Sequence, residues 1–187
     1  MKPLTVDDLI PLEEFTARRA EFLDAHLRYC NRYRRVRAGP SATLLFENRQ
    51  TLWFRVQEVL RIARVTELEM VQLELDWYNQ LLPARDHLQA ALILDGGLTC
   101  SAARLRLDTV EVTAKMLTSR PEDRAAGAAQ WLEFEISAAQ RKLLRNRRCP
   151  ACFEIDLGDQ HFASADLTTE MRQSLLDDLR LAQRKAA

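Results

Sequence analysis

The stretch from Tyr33 to Val65 constrains the fold more than any other part of the chain. Arg34-Arg35-Val36-Arg37-Ala38 reads as an arginine-bearing strand, Gly39-Pro40-Ser41 as a turn, and Leu44-Leu45-Phe46-Glu47 as a returning apolar strand, giving a predicted pair over 34–39 and 42–47. Asn48 follows where a helix N-cap is needed, because its side-chain carbonyl can accept from N–H groups that the first helical turn leaves unpaired. Leu52, Val56, Val59, Leu60 and Ala63 then recur at the spacing of one buried helical face, with Arg49, Arg55 and Arg61 largely off it. A short antiparallel ribbon running directly into an amphipathic helix is architecture and carries no chemistry of its own.

Around this segment, apolar residues at spacings of three and four predict one long helix over 12–33, with Arg19 as the exception inside the stripe. Thr66-Glu67-Leu68-Glu69 has the pattern of a capping box, predicting a further helix to about Leu81 that Pro83 ends, with a tight corner at 64–66. Residues 88–94 read as a buried strand stopped by Asp95-Gly96-Gly97, and 100–107 as a short helix. The second half is more sheet-like: strands over 109–118 and 130–136 flank a polar loop over 119–127. Ser137 starts a short helix to about Leu144, Gly158-Asp159 joins a hairpin of 152–157 and 161–164, and Thr168 or Thr169 caps a final helix to Gln183, beyond which a short disordered tail is expected. The expectation is a single α+β domain over 1–187, with helices packed on a mainly antiparallel sheet.

Charge and hydropathy narrow the function classes. With 27 basic and 27 acidic side chains the chain lacks the global field of a nonspecific nucleic-acid or anionic-membrane binder, so neither partner is expected. Charged residues interrupt every apolar stretch well short of the roughly eighteen residues that a membrane-spanning helix requires. The first residues, Met1-Lys2-Pro3-Leu4-Thr5-Val6-Asp7-Asp8, lack the apolar core of a signal peptide. Four cysteines without an export signal predict reduced thiols in the cytoplasm.

No complete catalytic or cofactor motif is present, and no cofactor is expected. Cys149-Pro150-Ala151-Cys152 has the two-residue gap that lets a pair of thiols share a metal or close a small disulfide. Its context favours inert thiols at a turn, because a strand follows Cys152 in place of the helix N-terminus that activates a redox cysteine, and no second ligand pair accompanies it. His26 reads as a core histidine, while His87 and His161 are isolated strand-entry residues. The arginines of 32–37 and 141–148 follow predicted helices, where cations suit the negative end of the dipole, so a solvated or ion-paired surface explains them without a phosphate ligand. Glu47-Asn48-Arg49 is the best geometric candidate for a small-ligand site, since N–H donors and a guanidinium could converge there. Capping by Asn48 and local pairing by Glu47 and Arg49 account for the same residues structurally.

Lys2-Pro3-Leu4-Thr5, Leu12-Glu13-Glu14-Phe15, the strand from Arg34-Arg35-Val36 to Gly39-Pro40, Leu45-Phe46-Glu47-Asn48-Arg49-Gln50-Thr51, Gln57-Glu58-Val59-Leu60-Arg61 and Glu74-Leu75-Asp76-Trp77-Tyr78-Asn79 follow one another in an order and spacing that resembles a bacterial family, domain of unknown function 3501. Arg34, Arg35, Glu47, Asn48, Arg49, Glu58, Tyr78 and Asn79 match its most recognisable stretches and are the candidate binding residues. The resemblance implies no activity. It implies a nonenzymatic cytoplasmic accessory to iron-sulfur or rubrerythrin-type proteins in redox or peroxide handling. Beside it stand a small-molecule-binding protein or enzyme using Arg35, Glu47, Asn48 and Arg49 in a cleft next to the 52–63 helix, and thiol or metal chemistry at Cys149 and Cys152.

Overall fold

In the computed structural model, which describes residues 1–95, 100–117, 120 and 130–183, the predicted ribbon forms as β1 (Arg35–Ala38) and β2 (Ala42–Glu47), paired antiparallel with Val36 opposite Leu44. Gly39 turns the chain at φ +72°, in the left-handed region that favours glycine, and a Cβ there would meet the Phe162 ring at 2.5 Å. Asn48 caps α3 (Arg49–Ala63) as expected, its side chain accepting from the N–H groups of Gln50 and Thr51 while the Thr51 hydroxyl oxygen accepts from the Asn48 N–H. Arg64 ends that helix in the left-handed conformation and makes the corner before α4 (Leu68–Gln80).

The described strands are antiparallel and form two sheets, one ordered β1-β2-β3-β7-β6 and the other β5-β4-β8-β9, where β3 is His87–Leu94, β4 Cys100–Leu107, β5 Val110–Thr113, β6 Lys115–Leu117, β7 Gln130–Glu135, β8 Ala151–Leu157 and β9 Gln160–Ala163. With α1 (Leu12–Ala17), α2 (Arg19–Tyr33), α5 (Ala138–Arg145) and α6 (Thr169–Gln183), this is the expected α+β class. One face of the first sheet presents Leu44, Phe46, Ala90, Leu92, Leu132 and Phe134 to Leu105, Phe153 and Ile155 of the second. Phe153 packs against Phe46 at 4.8 Å and Phe134 at 5.5 Å between ring centroids. The opposite face offers Leu45, Ala91 and Trp131 to α3 and α4. Covering on both faces explains why β2 and β3 read as continuous apolar runs, whereas β4 and β8 alternate, sending Arg104, Arg106, Glu154 and Asp156 outward.

Four expectations are corrected. The 12–33 helix is two helices, broken at Arg18, which lets Phe15 become fully buried against Phe22, Trp53 and Phe54. The 100–107 segment is strand β4, its helix-favouring Ala, Leu and Arg residues overridden by seven register pairs to β8. The strand over 109–118 is two, β5 and β6, separated at Ala114 and paired in different sheets. The Thr66 capping box does not form, and α4 starts from Glu67 with no side-chain cap. The strand stop at Gly96-Gly97, the 119–127 loop apart from Arg120, and the tail beyond Gln183 lie outside the described residues. Among the described residues, no helix is long and apolar enough to cross a membrane.

Candidate functional site

Between α2, α3 and the helix-covered face of the first sheet lies a cleft of about 430 Å³. Helix α2 contributes Leu23, His26 and Leu27; α3 contributes Thr51, Phe54, Arg55, Glu58 and Ile62; β1 supplies Arg35, and Leu45 and Ile93 form the sheet side. Each of these follows from local periodicity. Phe54, Glu58 and Ile62 are four apart on α3, and Leu23, His26 and Leu27 are three and four apart on α2, so each set makes one wall. Arg35 reaches the cleft because it is opposite Leu45 in register and shares its face. A smaller cavity of about 290 Å³ beneath the N-terminal segment has no charged side chain in its lining.

The polar groups in the cleft differ in how far the protein already satisfies them. The His26 ring stacks on Phe54 at 4.1 Å, with Nε2 3.4 Å from the Cys30 sulfur. Burial, then the charges of Arg55 and Arg35, hold its pKa down to about 4 against the opposing pull of Glu58, so the ring is neutral near pH 7. Burial pushes the Cys30 thiol up to about 12, which removes it as a nucleophile. Arg55 donates to Glu47 at 2.7 Å and lies 5.1 Å from the centroid of the Trp131 ring. Burial acts to raise the Glu58 carboxyl, but hydrogen bonds from Arg19 and Arg61 outweigh it and hold the group below its ordinary value. Arg35 is different. Its Nη1 donates to Asn31 Oδ1 at 2.8 Å, while its buried Nε has no hydrogen-bond partner and its charge no carboxylate partner among the described residues.

Of the candidate residues named from sequence, Arg35 and Glu58 line the cleft, and Glu47 sits behind it, fully buried with Arg55. The rest are engaged elsewhere. Asn48 caps α3 and donates to the Tyr29 hydroxyl at 2.8 Å. Arg49 pairs with Asp8 at 2.6 Å and donates to the Lys2 carbonyl. Arg34 is buried, donating to Asp178 on α6 and to the Tyr29 hydroxyl. Tyr78 is buried in the α3/α4 core with the Arg120 guanidinium 5.5 Å from its ring centroid, and Asn79 brackets the Leu4 backbone with bonds of 2.7 and 2.9 Å. The α2 wall was missed by sequence reasoning, although the Leu23-His26-Leu27 spacing beside the buried Cys30 carries the signal.

Cys149 and Cys152 are free and face different partners, Asn146 at 3.1 Å and Arg106 at 3.6 Å from their sulfurs. Among the described residues no group of three or more His, Cys, Asp or Glu side chains is arranged to hold a metal ion. His161 bonds Asp156 at 2.7 Å on the outer face of the second sheet, and His87 Nδ1 lies 2.7 Å from the Arg85 carbonyl.

A family model described as protein of unknown function (DUF3501) matches residues 3–97, a span that contains every residue lining the cleft. A crystal structure of a protein of unknown function from Burkholderia pseudomallei K96243 superposes with a TM-score of 0.80 at 26% identity, covering 95% of this chain and all of that one. No curated protein matches the chain.

Proposed function

The chain belongs to the DUF3501 family, and from that premise we propose that it is a small-molecule-binding protein whose ligand occupies the cleft between α2 and α3. The observation that carries this reading is a concave site with mostly apolar walls and one half-buried guanidinium, Arg35, whose donors the protein leaves incompletely used. Ligand sites have this composition, apolar contact supplying affinity and a few polar groups fixing orientation. Binding is favoured over catalysis because the groups nearest a ligand are chemically quiet: a neutral histidine, a protonated buried thiol and a carboxylate held by two arginines. Screening mixtures of small metabolites against the amide NMR spectrum is expected to give saturable shifts at Leu23, Leu27, Phe54 and Ile62. Leu27→Trp, at the cleft mouth, is expected to abolish them. Shifts confined to other surfaces would remove the site.

A second reading, a nonenzymatic partner of iron-sulfur or rubrerythrin-type proteins in a bacterial cytoplasm, is supported by a different feature. Helix α4 exposes Leu68, Met70 and Leu73, with Leu68 and Leu73 bordering an open groove beside Val6. Four free thiols suit such a reducing setting. Affinity capture with the whole chain is expected to recover a redox protein that a Leu68→Lys/Leu73→Lys variant loses. Recovery of no redox protein under either reducing or peroxide-treated conditions would count against it.

A further inference from the structure

Charge bookkeeping around the cleft selects among ligand classes. Arg55 is matched by Glu47, and Glu58 is shared by Arg19 and Arg61, so these five groups already carry a surplus of positive charge before Arg35 is counted. Arg35 adds a guanidinium with no carboxylate partner among the described residues. Asn31 holds its Nη1 and Nε is shut away from solvent, which leaves Nη2 as the charged donor open to an oxygen of a ligand carboxylate. A cationic ligand would face uncompensated repulsion here. A phosphate dianion would need several donors to offset its desolvation, yet the other guanidiniums are paired and the Thr51 hydroxyl donates to the Asn48 carbonyl. The remaining walls, Leu23, Leu27, Phe54 and Ile62, are apolar and suit a hydrocarbon body.

We propose that the ligand is an amphipathic monocarboxylic acid, its carboxylate held by Arg35 and its apolar part lying between Phe54 and the α2 side chains Leu23 and Leu27. This rests on the reading of the cleft as the binding site. The volume of about 430 Å³ falls within the usual range for small-ligand pockets. Neutral His26 stacked on Phe54 continues the hydrocarbon wall without adding a second cationic anchor beside Arg35.

Titration calorimetry on the whole chain tests the proposal with hexanoate, octanoate and decanoate against octanol, octylamine and inorganic phosphate at one pH and ionic strength. At least one carboxylate is expected to bind about tenfold or more tighter than octanol, with octylamine weaker still. Arg35→Gln is expected to erase that preference while leaving octanol binding in place, and Arg37→Gln, on the exposed part of the same strand, to preserve it. Thermal melts of both variants establish that they fold, and the carboxylate-to-octanol ratio in the unaltered protein needs no variant. Equal binding of octanoate and octanol, tighter binding of phosphate, or a preference that survives Arg35→Gln overturns the carboxylate assignment and leaves the cleft standing. The same holds if the metabolite screen finds cleft ligands of another class while no carboxylate binds. Failure of every probe together with a silent metabolite screen removes the cleft reading as well.

Discussion

Arg34 and Arg35 are neighbours in sequence and opposite in circumstance. Arg34, the residue ending α2, turns into the interior and meets Asp178 of α6, where burial pushes the carboxyl up against the pull of the guanidinium. Breaking such a pair leaves one uncompensated buried charge, so the contact fixes how α2 and α6 meet more than it adds net stability. One residue on, Arg35 is on the helix-facing side of β1 and reaches the cleft. His26 shares that cleft, facing Arg35, Arg55 and Glu58 as well as Cys30. Its folded pKa of about 4 lies below the ordinary value near 6.5, so the unfolded chain binds the extra proton between those limits and stability falls as pH drops through that window. Allowing for its partial exposure, the loss attributable to this ring is about 1–2 kcal/mol. Urea unfolding from pH 7 to pH 4 is expected to be less pH-dependent in His26→Phe than in the native chain by that amount; parallel curves would show that the ring is protonated in the folded state.

At the scale of elements, what was legible in the sequence is what local chemistry decides. The Asn48 cap, the Gly39 turn, the Ser137 cap and the Gly158 hairpin each depend on a few adjacent residues, and each forms where the residues ask for it. Elements set by distant partners were harder to read. Cys100-Ser101-Ala102-Ala103-Arg104-Leu105-Arg106-Leu107 has good helix propensity, and only pairing with β5 and β8 makes it a strand whose Ala103, Leu105 and Leu107 enter the core. Ala114 looks like one more strand residue, yet the chain changes sheets there, its N–H held by the Ala103 carbonyl at 2.8 Å. The cleft divides in the same way. Arg35 and Glu58 were identifiable from their segments, whereas the α2 wall depends on how two helices cross, which no single stretch encodes. Arg49 and Asn79 illustrate the reverse limit: a family-like motif marks them, and their work is to hold another part of the chain.

That held part is the N-terminal segment, which lies as a strap across the α3/α4 pair and bears on the whole molecule. Leu4 is fully buried and its backbone is bracketed by Asn79; Trp53 donates to the Asp8 carbonyl at 2.8 Å, Gln57 to the Ile10 carbonyl, and Arg49 to the Lys2 carbonyl and the Asp8 carboxylate. These contacts close one side of the helical layer, remote from the core shared by the two sheets and α6. Asn79→Ala removes both bonds to Leu4 and leaves a partly buried N–H and carbonyl to find other partners, at a cost of about 1–3 kcal/mol. Hydrogen exchange is expected to quicken over residues 4–10 and the adjoining face of α4 while β8 and the middle of α6 stay protected, because a strap can detach without opening the sheet core. The Arg49 hydrogen bond and the Thr5 N–H hold the Asp8 carboxyl down to about 2, so its share of the strap's hold is complete above the ordinary carboxylate range and disappears only as pH falls through that low value. Exchange at pH 5 therefore reports the loss of Asn79 with the Asp8 contact still ionised. Acceleration spread evenly over β8 and α6 would show instead that the strap and the sheet core unfold as one cooperative unit.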